Sequence, residues 1–123
     1  MDNQYVISED AKSRVIETMK NELSGIADVV EYVFDMGVFS VEMKIKGSRA
    51  CWAKIDPGPR GLVFSVGTGE NEVLAQKQTS IQPKDKFWLL LNSDDSLLKD
   101  ISKIIKELVG KAKQKALESG VEL

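Results

Sequence analysis

The chain has 123 residues, a net charge of −2 and no histidine, with 42% apolar and 29% charged residues. That length fits one domain, 1–123, able to bury roughly two-thirds of the surface of its unfolded form. The charge balance argues against wholesale nucleic-acid binding. The missing histidine excludes Ser-His-Asp and Cys-His catalysis, His-ligated metals and imidazole proton shuttles.

No run approaches 18 consecutive apolar residues, so no membrane-spanning helix is expected. The opening MDNQYVISED has neither the basic nor the apolar region of a secretory signal. A single cysteine, Cys51, permits no intramolecular disulfide and no zinc cluster. The expectation is a cytoplasmic protein without a cofactor.

Ser8, followed by Glu9 and Asp10, reads as an N-cap with an acidic first turn. Ala11, Val15, Met19 and Leu23 then recur at helical spacing, and Gly25 is placed to end that helix. Beyond it the period changes. Val30, Tyr32 and Phe34 alternate with Glu31, Val33 and Asp35, and Asp35-Met36-Gly37 supplies a turn. In VFSVEMKIK, residues 38–46, Phe39, Val41, Met43 and Ile45 face one way and Ser40, Glu42, Lys44 and Lys46 the other. This is the pattern of a half-buried antiparallel strand.

Gly47-Ser48 turns the chain into a third strand over 49–56, with Cys51, Ala53 and Ile55 on one face. DPGPRG, residues 56–61, must be a turn, because Pro57 and Pro59 have no N–H to give to a ladder. A phosphate cradle would instead lead into a helix. The turn leads into LVFSV, a strand with Leu62, Phe64 and Val66 inward, and then Gly67-Thr68-Gly69, for which a turn is the simplest reading. Residues 67–86 are polar, and Glu72–Gln78 reads either as a short helix or as part of a long connection over the sheet edge.

The run FWLLLN, residues 87–92, reads as a central strand. Ser93, Asp94 and Asp95 then cap a long helix whose apolar stripe is Leu97, Ile101, Ile104, Ile105, Leu108, Ala112 and Ala116. Gly110 is a place for it to bend, and Gly120 a place to stop. The expected fold is α+β: a single antiparallel sheet of about five strands, with an N-terminal and a long C-terminal helix packed on one face.

The pieces SVEMKI, ACWAKI, GLVFSV and FWLLLNSDDSLLKDISKIIKEL, spread over residues 38–110, resemble a group of small domains. These are the domains labelled "predicted transport protein" and the MmcQ/YjbR-like proteins near them. The resemblance implies the same α+β fold and brings no catalytic residues with it. The group often has aromatic and histidine residues before the last strand, where this chain has TSIQPKDK.

Four features carry chemistry. Asp35, with Glu42-x-Lys44 on the next strand, resembles the arrangement of PD-(D/E)xK nucleases, in which two carboxylates hold Mg²⁺ and a lysine helps activate water. Here the spacing is tight and no proline precedes Asp35. Cys51 lies on the core side of its strand and reads as a small buried hydrophobe rather than a nucleophile. Lys99, Lys103, Lys106, Lys111, Lys113 and Lys115 form a solvated helix face, or, at the KAKQK end, a contact for an anionic partner.

The fourth feature is on the sheet. Alternation turns Trp52 and Lys54 away from the helices beside Lys44 and Lys46, with Arg49 and Arg60 in the flanking turns. An aromatic among cations suits a macromolecular partner, a protein more readily than a nucleic acid, unless residues 67–86 or a second subunit cover Trp52. The reading is a non-catalytic binding module that acts through this outer face, with homodimerisation as one form of it. The alternatives are a small Mg-dependent nuclease-like enzyme using Asp35, Glu42 and Lys44, and a chaperone-like or anti-defence protein that binds one protein target.

Overall fold

In the computed structural model, residues 8–35, 38–70, 72–82, 87 and 96–120 are described. The first helix, α1, spans Glu9–Leu23. Its first turn is closed by Ser8, whose hydroxyl accepts from the Ala11 N–H at 3.1 Å. Ala11, Val15, Met19 and Leu23 are its buried stripe. The helix is capped by Ser24 rather than ended by Gly25. Ser24 keeps right-handed helical angles, and the Ile26 N–H returns to the Leu23 carbonyl at 2.9 Å, so no left-handed residue is needed.

Five strands come next: β1 (Ala27–Asp35), β2 (Val38–Ile45), β3 (Cys51–Asp56), β4 (Val63–Thr68) and β5 (Glu72–Gln78). They form one antiparallel meander in the order β1-β2-β3-β4-β5. Phe39, Val41, Met43 and Ile45 of β2 are buried, as are Cys51, Ala53 and Ile55 of β3 and Phe64 and Val66 of β4. This is the inward set that the alternation predicts.

Two expectations change. In β1 the register shifts between Val29 and Glu31, and this bulge inserts one extra residue that resets the alternation. Val29, Tyr32 and Phe34 pair with Met43, Val41 and Phe39, while Val30 is left 57% exposed. Glu72–Gln78 is a strand, neither a helix nor a loose connection. It also shifts register, opposite Val66 and Gly67, and Leu74 is its one buried residue. A strand with a single buried side chain shows no period of two, so its sequence reads as polar.

The fifth strand among the described residues is 72–78, and the strand expected over 87–92 lies almost wholly outside them. Of the latter run only Phe87 is described. It has helical backbone, and its buried ring stands edge-on to Phe39 with centroids 5.3 Å apart. Residues 88–92, the expected caps at 93–95 and the turn residues 36–37 lie outside the described residues.

The second long helix, α2, runs unbroken over Ser96–Ser119, with Gly110 exposed inside it. Gly120, at φ 69°, ends it. Of the predicted stripe, Ile101, Ile105, Leu108, Ala112 and Ala116 are buried and Leu97 and Ile104 half-buried, and Leu98, Ser102 and Val109 are buried as well. Both helices lie against the sheet, α1 on β1 and α2 on β4 and β5, and they pack on each other. Lys106 reaches Glu22 across that seam at 3.8 Å. The buried apolar residues form one contiguous cluster, and the fold is α+β.

Two helical positions in this core respond in opposite directions. Ile105→Ala leaves a cavity and is expected to destabilise the chain by about 2–5 kcal/mol in denaturant unfolding. Ser102 is fully buried, and its hydroxyl has no hydrogen-bond partner among the described residues. Ser102→Ala should therefore raise stability, by about 1 kcal/mol. A loss of stability in the second variant would show that the hydroxyl is bonded.

Candidate functional site: the hairpin end of the outer sheet face

Directly opposed residues on neighbouring strands share a face, and the register therefore builds the outer surface. On it Lys44 stands between Asp28 and Trp52, and Trp52 stands between Lys44 and Gly67. One step along the strands, Glu42 stands between Glu31 and Lys54. Gly47, at φ 79°, turns β2 into β3, and Ser48 and Arg49 lie in that turn.

Trp52 points outward as expected, but it is half-buried rather than bare. Its indole lies across Gly67, where an added Cβ would stand 2.6 Å from the ring carbon Cζ2. The indole N–H donates to the Gly69 carbonyl at 2.9 Å. The Lys54 ammonium sits 4.7 Å from the ring centroid, a cation–π contact. The cover thus comes from β4, the turn after it and Lys54. Gly67 is the floor under the ring, and Gly69, at φ 63°, carries the acceptor. The ring's fixing partner is a glycine on another strand, and only its alignment with Trp52 in the register could have marked it.

Four of the six predicted binding residues come together: Trp52, Lys44, Lys54 and Arg49. Val30, Glu42, Lys44, Ser48, Arg49 and Trp52 are among the residues lining a pocket of about 200 Å³ at the hairpin end. Lys46 does not join them. Its ammonium donates to the Ser24 carbonyl at the end of α1 and lies 3.6 Å from the Asp28 carboxylate, a favourable place for a cation. Arg60 does not join them either. It lies beyond Asp56 in the β3–β4 turn, and Asp56 alone is four residues, about 13 Å, along the strand from Trp52.

The DPGPRG segment is a turn, as predicted. The N–H of Gly61, at φ 141°, donates to the Gly58 carbonyl at 3.2 Å, the Leu62 N–H donates to the Ile81 carbonyl, and the Thr79 N–H donates to the Leu62 carbonyl. Beside Gly58 and Gly61 the space that a ligand would need is filled by Val63 and by the carbonyls of Gly61, Thr79 and Ile81.

The register also separates the nuclease-like set. Asp35 pairs with Val38, whereas Glu42 pairs with Glu31, four residues or about 13 Å along β2. Glu42 instead joins Glu31, Asp56 and Lys54 around a shallower depression. Among the described residues no three Cys, Asp or Glu side chains are grouped to hold a metal ion.

Cys51 is buried, and burial pushes its thiol pKa up, against a smaller opposing pull from the Lys113 ammonium. It is a small hydrophobe. The Tyr32 phenol, whose hydroxyl is buried without a partner among the described residues, has its pKa raised by burial too. The six lysines of α2 are exposed, as a solvated face requires.

These contacts can be checked in two ways. Gly67→Ala drives a methyl group into the Trp52 ring and the Glu72 carbonyl. It is expected to cost about 1–3 kcal/mol and to shift the tryptophan emission; an unchanged spectrum and midpoint would place the ring elsewhere. Because Cys51 and Tyr32 both have raised values, the folded chain keeps protons that the unfolded chain releases. Their contribution is complete below the unfolded values, about 8.5 and about 10, and is lost as pH climbs through the folded ones. The denaturation midpoint should therefore fall on going from about pH 8 to about pH 11, and less steeply in Cys51→Ala.

Comparison with protein-family models, with curated proteins and with solved structures finds no match, which leaves the geometry of this face as the ground for assigning a role.

Proposed function

We propose that the chain is a non-catalytic binding module that engages a protein partner through the outer face of its sheet, at the end marked by Trp52. The observation that carries this is the hairpin-end pocket. It holds two cations, Lys44 and Arg49, that form no ion pair among the described residues. Beside them is an aromatic ring already fixed by Gly67, Gly69 and Lys54. A rigid aromatic costs little entropy to bind, and such residues dominate protein interfaces.

Size favours a macromolecule over a small molecule. Pockets for drug-sized ligands run to about 300–1,000 Å³, and about 200 Å³ is room for one anchoring side chain. Charge favours a protein over a nucleic acid. Asp28, Glu31, Glu42 and Asp56 share the face with the cations and would repel a polyanion. The Trp52 ring, held between Gly67 and Lys54, is no open stacking platform for bases.

Self-association fits this face less well than a different partner does. A twofold axis across the strands at the level of Glu31 and Glu42 would set each of those carboxylates on its own copy, and like charges so opposed are unfavourable. A chaperone-like or anti-defence protein would be one case of the same reading, distinguished by its target.

The test is affinity capture from the source organism with the wild-type chain, followed by binding measurements on the purified partner. Trp52→Ala and the double variant Lys44→Ala/Arg49→Ala, each checked for folding by circular dichroism, are expected to weaken binding by at least about tenfold. Equal affinity of the folded variants and the wild type would overturn the proposal.

A further inference from the structure

We infer that the hairpin-end pocket is a receptor for one carboxylate, an aspartate or glutamate side chain presented by an exposed segment of the partner. The inference rests on the protein-binding role proposed above and adds the chemistry of the anchor. It comes from accounting for the cations one by one. Lys46 is held by the Ser24 carbonyl and Asp28. Lys54 lies over the Trp52 ring. Lys44 and Arg49 remain, both lining the pocket.

Asp28, the acid directly opposite Lys44 in the register, already has Lys46 at 3.6 Å and so does little to satisfy Lys44. Of the acids, Glu42 lines the pocket too. Two cations and one carboxylate give a local charge of about plus one, the complement of a monoanion. A phosphate dianion would meet Glu42 at close range with one cation too few.

The donor set agrees with this. An arginine fork can grip both oxygens of a carboxylate, a lysine adds a point charge, and the Ser48 hydroxyl in the same turn is a further donor. The walls suit the short apolar stem of an acidic side chain. Val30, turned out by the β1 bulge and 57% exposed, flanks the pocket together with Trp52. The bulge thereby has a use: it brings an apolar wall to an otherwise charged corner.

The experiment uses the full chain and three probes: N-acetyl-glutamate N-methylamide, its glutamine counterpart and inorganic phosphate. Each is titrated while amide and indole resonances are monitored by NMR at low and high salt. The glutamate probe should give saturable shifts at the Lys44 and Arg49 amides and the Trp52 indole N–H. Those shifts should weaken with salt and be lost in Lys44→Gln/Arg49→Gln. The glutamine probe should bind at least about tenfold more weakly. No saturation by the glutamate probe, equal binding of the glutamine probe, or tighter binding of phosphate at the same residues would each overturn the carboxylate assignment. If the captured partner then still depends on Trp52, the binding role stands without it. If the partner depends on none of these residues, both fall.

Discussion

Both described helices press on the same face of the sheet, and nearly every other feature derives from that asymmetry. The covered face must be apolar where the helices pack on it, which fixes the phase of β2 through Phe39, Val41, Met43 and Ile45 and carries β3 and β4 with it. A slip of one residue would expose the whole set. The other face has no such layer among the described residues and has to satisfy its large side chains from within the sheet. Trp52 does so by lying across Gly67 and bonding to Gly69. A bulkier residue in place of Gly67 would lift the ring into solvent. This is a cross-strand aromatic–glycine packing, in which one strand lacks a side chain so that its neighbour's can lie down.

That arrangement also sorts the charges. Lys54 lies directly opposite Glu42 in the register, yet its ammonium rests on the indole. Lys46, one residue past the end of β2, leaves the outer face for the C-terminal end of α1. The cations that the sequence places together are therefore spent on different structural tasks, and two are left over at the hairpin end. Glu31 and Glu42 stand directly opposite each other on β1 and β2, an unfavourable pairing that contributes nothing visible to the fold. The outer face is thus unevenly charged on a small scale.

How legible this was in the sequence depends on how local each signal is. β2 and β3 alternate cleanly, and α2 carries an apolar stripe over many turns, so these elements and the inward set can be read directly. The Ser8 cap is equally local. The failures have one cause in common: a long-range contact overrides a local period. The β1 bulge changes the inward residue from Val30 to Val29 because Met43 and Val41 dictate the register. β5 is a strand because β4 offers it a ladder, although Leu74 is its one buried residue. At the site, alternation correctly placed Trp52, Lys44 and Lys54 on the outer face. It could not show that Gly67 is the floor of the ring, that Lys46 turns back to a helix end, or that Val30 and Ser48 complete a pocket.

The two outermost of the described strands, β1 and β5, narrow the ways in which the sheet could meet a partner. An open edge invites another chain to add a strand, and natural sheets discourage this with bulges and charges. Both devices are present here. β1 has its bulge between Val29 and Glu31, with Asp28 beside it, and β5 has one between Val73 and Ala75, flanked by Glu72 and Lys77. A bulge breaks the even spacing of donors and acceptors that an added strand must match. Strand addition would therefore meet interrupted ladders on both sides. The hairpin end of the outer face instead presents a fixed aromatic and two cations that form no ion pair among the described residues. Recognition by side chains across the face, rather than by backbone at an edge, is the mode that this architecture leaves open.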